Sequence, residues 1–285
     1  MKWLFIGAGN MASSLISGLI ASNTDPAQIA VVDLEPDACR RAEQSFGVLS
    51  AATIEIAIDS LFQDDSNISA MGIVIAVKPH TVKAICTTLN TYLQSNNPHS
   101  IEPVFISVAA GILESSMRSW LPKGAALVRC MPNTPALIGL GATALYANDQ
   151  CSAEHRQVAQ TLLECAGLTL WVDNESALDA VTAVSGSGPA YFFYLIEHMI
   201  DAGVELGLTR ETAETLAIET AYGAASMARE KKNSPAVLRK NVTSEGGTTA
   251  AALNQFNASG TPEIIRKALK AAQTRAVELG NKLAN

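Results

Sequence analysis

Two short stretches hold residues whose types and spacing could do chemistry. In the first, Gly7-Ala8-Gly9-Asn10-Met11-Ala12, glycines stand two apart and a small residue follows three later. An apolar run of strand length, Lys2 to Ile6, leads into it, and Met11, Leu15, Leu19 and Ile20 continue from it at helical spacing. Strand, tight turn and helix in that order make a G-x-G-x-x-G/A fingerprint: Gly7 for the turn, Gly9 for the approach of a pyrophosphate, Ala12 for close helix packing. The pyrophosphate would lie on the unpaired amides at the positive end of the helix. Without the flanking strand and helix, two glycines would mark only a turn. In the second stretch, Asn241-Val242-Thr243-Ser244-Glu245-Gly246-Gly247-Thr248-Thr249, hydroxyls flank two glycines just before the helical run Ala250 to Leu253. That pattern suits a carboxylate or a phosphate. It equally suits a capped loop whose hydroxyls satisfy their own backbone.

The elements that position the first stretch can be followed along the chain. Ile29 to Asp33 reads as a second strand, and Asp33 falls twenty-four residues after Gly9, where a dinucleotide fold places the acid that meets the adenosine ribose. A carboxylate there accepts from the ribose hydroxyls of NADH and repels the extra phosphate of NADPH. Glu35 adds to the repulsion, whereas Arg40 and Arg41 could attract that phosphate. Met71 to Val77 is a nearly unbroken apolar run that ends in Lys78-Pro79-His80, as expected of a strand covered on both faces. Lys78 therefore stands at the ligand edge, where it meets ribose or phosphate or is merely solvated. Val104 to Val108 precedes Ala109-Ala110-Gly111, small enough for a flat ring to approach. Ala126 to Cys130 runs into Met131-Pro132-Asn133-Thr134-Pro135, a stiff loop with amide and hydroxyl donors on Asn133 and Thr134. Thr143 to Tyr146, a helix over 153–165 and Leu168 to Val172 look like a hairpin-like extension of the sheet.

Beyond Asp173 no strand is expected. Ser185-Gly186-Ser187-Gly188-Pro189 interrupts a helical stretch, and Pro189 suits the first turn of the next helix. That helix, to about Leu206, is apolar nearly all round, which requires burial on all sides and points to a subunit interface or, alternatively, to the centre of a bundle. Thr209, Ser234-Pro235 and Thr261-Pro262 read as caps of later helices. The expected organisation is thus α/β: a doubly wound Rossmann-type sheet over residues 1–172, then an all-α substrate-binding and dimerisation domain over 173–285.

Composition bounds the partners. The 285 residues are 48% hydrophobic and 16% charged, with a net charge of −7 and a pI near 5.2. This balance argues against a nucleic-acid surface and shows no polybasic membrane patch. The first apolar run is too short for a leader, and none approaches the roughly 20 residues of a membrane span, so a cytoplasmic protein is expected. Cys39, Cys86, Cys130, Cys151 and Cys165 are scattered, as are His80, His99, His155 and His198; no metal site is expected.

Taken in order, Phe5-Ile6-Gly7-Ala8-Gly9-Asn10-Met11, Ala76-Val77-Lys78-Pro79-His80, Ser107-Val108-Ala109-Ala110-Gly111, Arg129-Cys130-Met131-Pro132-Asn133-Thr134-Pro135-Ala136, Val184-Ser185-Gly186-Ser187-Gly188-Pro189-Ala190-Tyr191 and Val242 to Thr249 resemble the pyrroline-5-carboxylate reductase family over almost the whole chain. The last two segments together are the most specific. The resemblance implies hydride transfer from NADPH or NADH to L-1-pyrroline-5-carboxylate, giving L-proline, by a homodimer that often assembles into decamers. It assigns the nucleotide to Ile6, Gly7, Ala8, Gly9, Asn10 and Met11, to Ala76, Val77, Lys78 and Pro79, and to Val108, Ala109 and Ala110. Asp33, Glu35 and Asn133 join them from the residue reading. It assigns the substrate carboxylate to Ser244, Gly246, Gly247 and Thr248, and the ring nitrogen to the catalytic hydroxyl of Thr249. Glu245 stands where the family usually carries proline. Asp33 and Glu35 stand where relatives preferring NADPH carry small hydroxylated or basic residues.

Two other functions fit the same architecture. A β-hydroxyacid dehydrogenase would need a catalytic lysine in the helical part, where Lys231, Lys232 and Lys240 cluster in a polar segment. A nucleotide-binding sensor or assembly protein would bind without turnover.

Overall fold

The computed structural model describes residues 1–63, 70–95 and 102–283, so His99 lies outside the described residues. Strands β1 (Lys2–Ile6), β2 (Ile29–Val32), β3 (Leu49–Ala51), β4 (Ala70–Ile75), β5 (Glu102–Ser107), β6 (Ala126–Met131), β7 (Gly141–Ala147) and β8 (Gly167–Trp171) form one sheet in the order β3-β2-β1-β4-β5-β6-β7-β8. Neighbours from β3 through β6 are parallel. Their alternation feeds two cores: Trp3 and Phe5 face one side with Leu15, Ile16 and Leu19 of α1 (Asn10–Ala21), while Leu4 and Ile6 face the other with Ile58 and Leu61 of α3 (Ile54–Phe62). A strand buried on both faces has no polar side to show, which is why these runs read as continuous apolar segments. Gly72 of β4 sits opposite Trp3, and a Cβ there would come within 2.3 Å of the indole.

The far edge departs from expectation. β7 runs antiparallel to β6, but β8 lies parallel to β7 and is reached through α6 (Ala153–Glu164), so β7 and β8 are a crossover unit and not a hairpin-like extension. A helix of twelve residues between two strands supplies the length that a parallel connection needs.

The strand order reverses at β1, which lies between β2 and β4, and this reversal opens the crevice where doubly wound sheets bind ligands. Helices α2 (Pro36–Phe46), α4 (Val82–Ser95) and α5 (Glu114–Trp120) complete the covering layers. The chain divides into two compact units, Met1–Ser187 with Ala272–Asn285, and Gly188–Ala271. Among the described residues no strand follows β8.

In the first unit, α7 (Ala177–Val181) passes into a π-helical turn, Thr182–Gly186, closed by the Ser187 amide on the Thr182 carbonyl at 2.8 Å. The second unit holds α8 (Gly188–Glu205), α9 (Arg210–Arg229), α10 (Pro235–Asn241) and α11 (Thr248–Ala258). Thr209 and Ser234 cap as expected, accepting from the amides of Thr212 and Val237. The long α12 (Thr261–Leu283) differs: Thr261 is its first helical residue, and the amides of Glu263 and Ile264 both reach the Gly260 carbonyl. No helix among the described residues is long and apolar enough to cross a membrane.

Candidate active site

The glycine-rich turn is built at the point of strand reversal. The Gly7 amide donates to the Val32 carbonyl at 2.7 Å, and the Ala76 amide to the Ile6 carbonyl at 2.8 Å, so the ends of β2, β1 and β4 are locked together. Gly7 has φ +104°, and a Cβ on it would stand 2.5 Å from the Ala76 carbonyl oxygen. No other residue fits there. Gly9 is the opposite case, with ordinary φ −75° and no atom within 4 Å of where its Cβ would be. Its glycine leaves space in front of the α1 N-terminus, which no side chain caps. The amides of Asn10, Met11 and Ala12 open that helix without an acceptor inside it, a cradle that fits a pyrophosphate.

Asp33 closes the side of this cradle. One carboxylate oxygen accepts from the Ala8 amide at 2.7 Å and the other from the Glu35 amide at 2.9 Å. Glu35 is exposed. Arg40 is ion-paired with Asp37 in the first turn of α2. Ala76, Val77, Lys78 and Pro79 leave β4 beside Gly7, and the Lys78 carbonyl accepts from the Thr81 amide and hydroxyl. Val108 is fixed by its amide on the Ile75 carbonyl at 3.1 Å, which brings Ala109 and Ala110 to the same edge.

At this edge the first unit encloses a cavity of about 170 Å³, lined by Pro79, Ala109, Ala110, Gly111, Arg129, Cys130, Met131, Leu178, Asp179 and Thr182, with Ala276, Leu279 and Leu283 of α12. Its wall carries a charge network that the sequence did not suggest. Arg129 of β6 is ion-paired with Glu175, and the same Glu175 oxygen accepts from the Glu114 amide. The Glu114 carboxylate, almost wholly buried, accepts from Asn148 at 3.3 Å and lies 3.6 Å from Arg118. Burial holds the Asp179 carboxyl above its ordinary range; Arg129 opposes this rise and Glu175 adds to it. The Cys130 thiol is also raised by burial, which keeps it a packing group. An arginine inside the buried strand 126–131 was the available signal, since a charge there requires a partner.

Asn133 is placed at the sheet edge as expected, but both ends of its carboxamide are engaged by the protein. Its amide nitrogen donates to the Ser185 carbonyl at 3.1 Å and its oxygen accepts from the Ala142 amide at 2.9 Å. It thereby ties the loop after β6 to the π-turn, where a Cβ on Gly186 would meet Met131 at 2.4 Å. Its side chain is a strut here, with one of its two amide hydrogens engaged.

The second chemical stretch lies in the other unit. Ser244 to Gly247 form a tight turn closed by the Gly247 amide on the Ser244 carbonyl at 3.1 Å. Gly246 has φ +71°, and a Cβ on Gly247 would come within 2.6 Å of the Ser244 hydroxyl, so both glycines are demanded by the turn. Gly247 then leads directly into α11, which begins at Thr248 with no side-chain cap. The side chains of Ser244, Glu245, Thr248 and Thr249 are exposed. The start of α11 thus presents uncapped amides beside exposed hydroxyls, groups of the kind that can bind an anion.

A doubly wound sheet with an open glycine-rich cradle at its reversal point, followed by an all-helical unit, defines a Rossmann-type nicotinamide oxidoreductase with a helical association domain. Family models agree: residues 2–111 match the NADP oxidoreductase coenzyme F420-dependent family and residues 175–279 match pyrroline-5-carboxylate reductase dimerisation. The chain is 47% identical to the pyrroline-5-carboxylate reductase of Pseudomonas aeruginosa over 283 residues, covering 98% of this chain and 97% of that one. It is 39% identical to the Haemophilus influenzae enzyme of the same name, covering 96% of each. The solved pyrroline-5-carboxylate reductase of Coxiella burnetii superposes with TM-score 0.87 at 37% identity, and the Plasmodium falciparum reductase, solved with NADP bound, with 0.81 at 25%; each comparison covers 98% of both chains. The chain belongs to the pyrroline-5-carboxylate reductase family.

Proposed function

We propose that this chain reduces L-1-pyrroline-5-carboxylate to L-proline, with hydride from a reduced nicotinamide dinucleotide, as the last step of proline biosynthesis. What carries the reading is that similarity to enzymes of that name runs through both units, so the glycine-rich cradle and the Ser244–Thr249 turn lie within one matched length. A bound nicotinamide supplies the hydride. The chain's own contribution is to hold and orient. The amides of Asn10 and Met11, with Gly7, Ala8 and Gly9, would take the pyrophosphate, and Asp33 the ribose. Ile6, Ala76, Val77, Lys78, Pro79, Val108, Ala109 and Ala110 form the edge against which the rest of the nucleotide lies. At the start of α11, Ser244, Gly246, Gly247 and Thr248 would orient the substrate carboxylate, and the Thr249 hydroxyl would steady the ring nitrogen as it becomes an amine.

A cyclic imine is basic enough to bring its own proton, so no acid catalyst is required and positioning does most of the work. The dimerisation domain makes the chain self-associating; we propose decamers built from dimers as the higher assembly. We also propose a cytoplasmic setting, in keeping with free thiols at all five cysteines.

The experiment is loss of reduced-nicotinamide absorbance on adding the imine, with proline formed mole for mole. Nucleotide binding without consumption would favour the sensor alternative. Thr249→Ala is expected to lower kcat by about 100-fold, the order lost with one hydrogen-bond donor at a reacting centre, here the nitrogen whose lone pair forms as the hydride arrives, while nucleotide affinity stays within about twofold. Normal turnover by that variant would remove Thr249 from its role.

A further inference from the structure

We propose that the nucleotide cradle of this chain selects NADH against NADPH, with Asp33 as the selecting residue. This rests on the family reading only for the presence of a nicotinamide dinucleotide.

The two cofactors differ by one phosphate on the adenosine ribose, and that phosphate needs hydrogen-bond donors where β2 ends. The segment Asp33-Leu34-Glu35-Pro36 offers it almost none. Its side chains are two carboxylates, an aliphatic group and a pyrrolidine ring. Pro36 has no amide hydrogen, and the Glu35 amide is already taken by Asp33 at 2.9 Å. Arg40, a cation one turn into α2, is engaged by Asp37, which leaves the exposed Arg41 as the cation of this segment to set against Asp33 and Glu35. Formal charge over residues 33–41 is three acids against two arginines, so a dianionic phosphate enters a region that is already net negative.

The position of the Asp33 carboxylate is not free to adapt. Its other oxygen is held on the Ala8 amide at 2.7 Å, inside the glycine-rich turn, and the Gly7 amide is fixed on the carbonyl of the preceding Val32. A side chain anchored at both oxygens cannot swing aside for a phosphate without breaking two charge-assisted bonds. Each oxygen keeps further lone pairs, which suits the two ribose hydroxyls of NADH. The same anchoring makes Asp33 part of the cradle: it helps hold Ala8 in the conformation that presents the amides of Asn10 and Met11.

The test is equilibrium binding without imine, using NADH and NADPH, and as non-reducible probes ADP-ribose and its 2′-phosphate. NADH is expected to bind at least about tenfold more tightly than NADPH, as carboxylate repulsion of a nearby dianion requires. Raising salt from 0.05 to 0.5 M should narrow that ratio by screening the repulsion, opposite to a site that holds the phosphate by ion pairs. Asp33→Ser should shrink the ratio by about tenfold or more, from both sides. Glu35→Ser retains the Asp33 anchors and should improve NADPH binding about threefold, so the proposal can be decided even if the Asp33 variant folds poorly. Equal or tighter binding of NADPH by the unaltered protein would overturn it, as would a ratio that widens with salt. A protein that binds NADH selectively but reduces no imine would overturn the proposed reaction and leave this selectivity intact.

Discussion

Gly7 and Gly9 belong to the same fingerprint but serve different masters, and substituting each by alanine separates them. At Gly7 the added Cβ lies 2.5 Å from the Ala76 carbonyl oxygen and 2.7 Å from its carbon. To reach ordinary contact the ends of β1 and β4 must part by close to 1 Å, against the Ala76-to-Ile6 hydrogen bond at 2.8 Å. Overpacking of that kind costs about 1–3 kcal/mol, and an L-residue held at positive φ about 1–3 more. Gly7→Ala is therefore expected to lose about 3–5 kcal/mol, and on the order of 10 °C in Tm for a unit of this size.

At Gly9 there is no clash, and φ −75°, ψ −177° is open to alanine. Alanine is the poorer helix cap by some tenths of a kcal/mol up to about 1, and it reduces unfolded-state entropy by a similar amount, so stability should move by less than about 0.5 kcal/mol. Binding is another matter. A methyl in front of the first-turn amides pushes a phosphate beyond hydrogen-bond reach; losing two bonds to a charged group at about 1.5–3 kcal/mol each weakens NADH by 100-fold or more. The assay is a thermal unfolding curve beside an NADH titration on both variants. A Gly9→Ala protein with wild-type affinity would refute the placement of the pyrophosphate, and one that melted as early as Gly7→Ala would refute the steric reasoning.

The cavity wall makes two further predictions. Arg129→Met removes the cation from Glu175 and leaves that carboxylate, with Asp179 beside it, poorly solvated; about 3 kcal/mol should be lost, and less than additively with Glu175→Gln in a double-mutant cycle read by urea unfolding. Full additivity would mean the pair is not coupled. Asp179 has a folded-state pKa above its ordinary value, so the folded protein binds that proton more tightly than the unfolded one, and stability is lost as pH rises from the ordinary 3.8 through the raised value. Asp179→Asn should therefore gain stability over the wild type at pH 8 relative to pH 4; the opposite trend would show that Arg129 outweighs burial.

What the sequence made legible was local. The strand, turn and helix around Gly7 were read from a few adjacent residues, and the structure places them so, with positive φ at Gly7; the bond of Asp33 to the Ala8 amide and the positive φ of Gly246 are backbone roles added to the ligand roles read for those residues. Direction of the last strand was missed although the helix between β7 and β8 carried the information. The network of Arg129, Glu175, Glu114 and Asn148 was missed for a different reason. Its bonded partners are 34 to 61 residues apart, and its bonds join a strand, a helix start and two loops that meet only once the sheet has formed. Asn133 shows a third case, a residue whose type was read as chemistry and to which the geometry adds a strut between residues 52 and 9 positions away.

The helical unit shows most clearly why sequence and single chain must be read together. Within α8 the only buried residue is Gly188, within α9 they are Ala213 and Ala217, and α10 and α11 have none. Phe192, Phe193 and Tyr194 are each 64% exposed. No helical bundle is stable with a core of a glycine and two alanines, since burial of large side chains is what offsets the entropy of ordering the chain. The apolar girdle that the sequence displays around α8 is thus a core in search of its other half, in keeping with the dimerisation family that residues 175–279 match. Folding of this unit and association are then one equilibrium, with stability that depends on protomer concentration. The Ser244–Thr249 turn rides on the same unit. The carboxylate-orienting role proposed for the start of α11 therefore depends on the assembly and not on the chain alone.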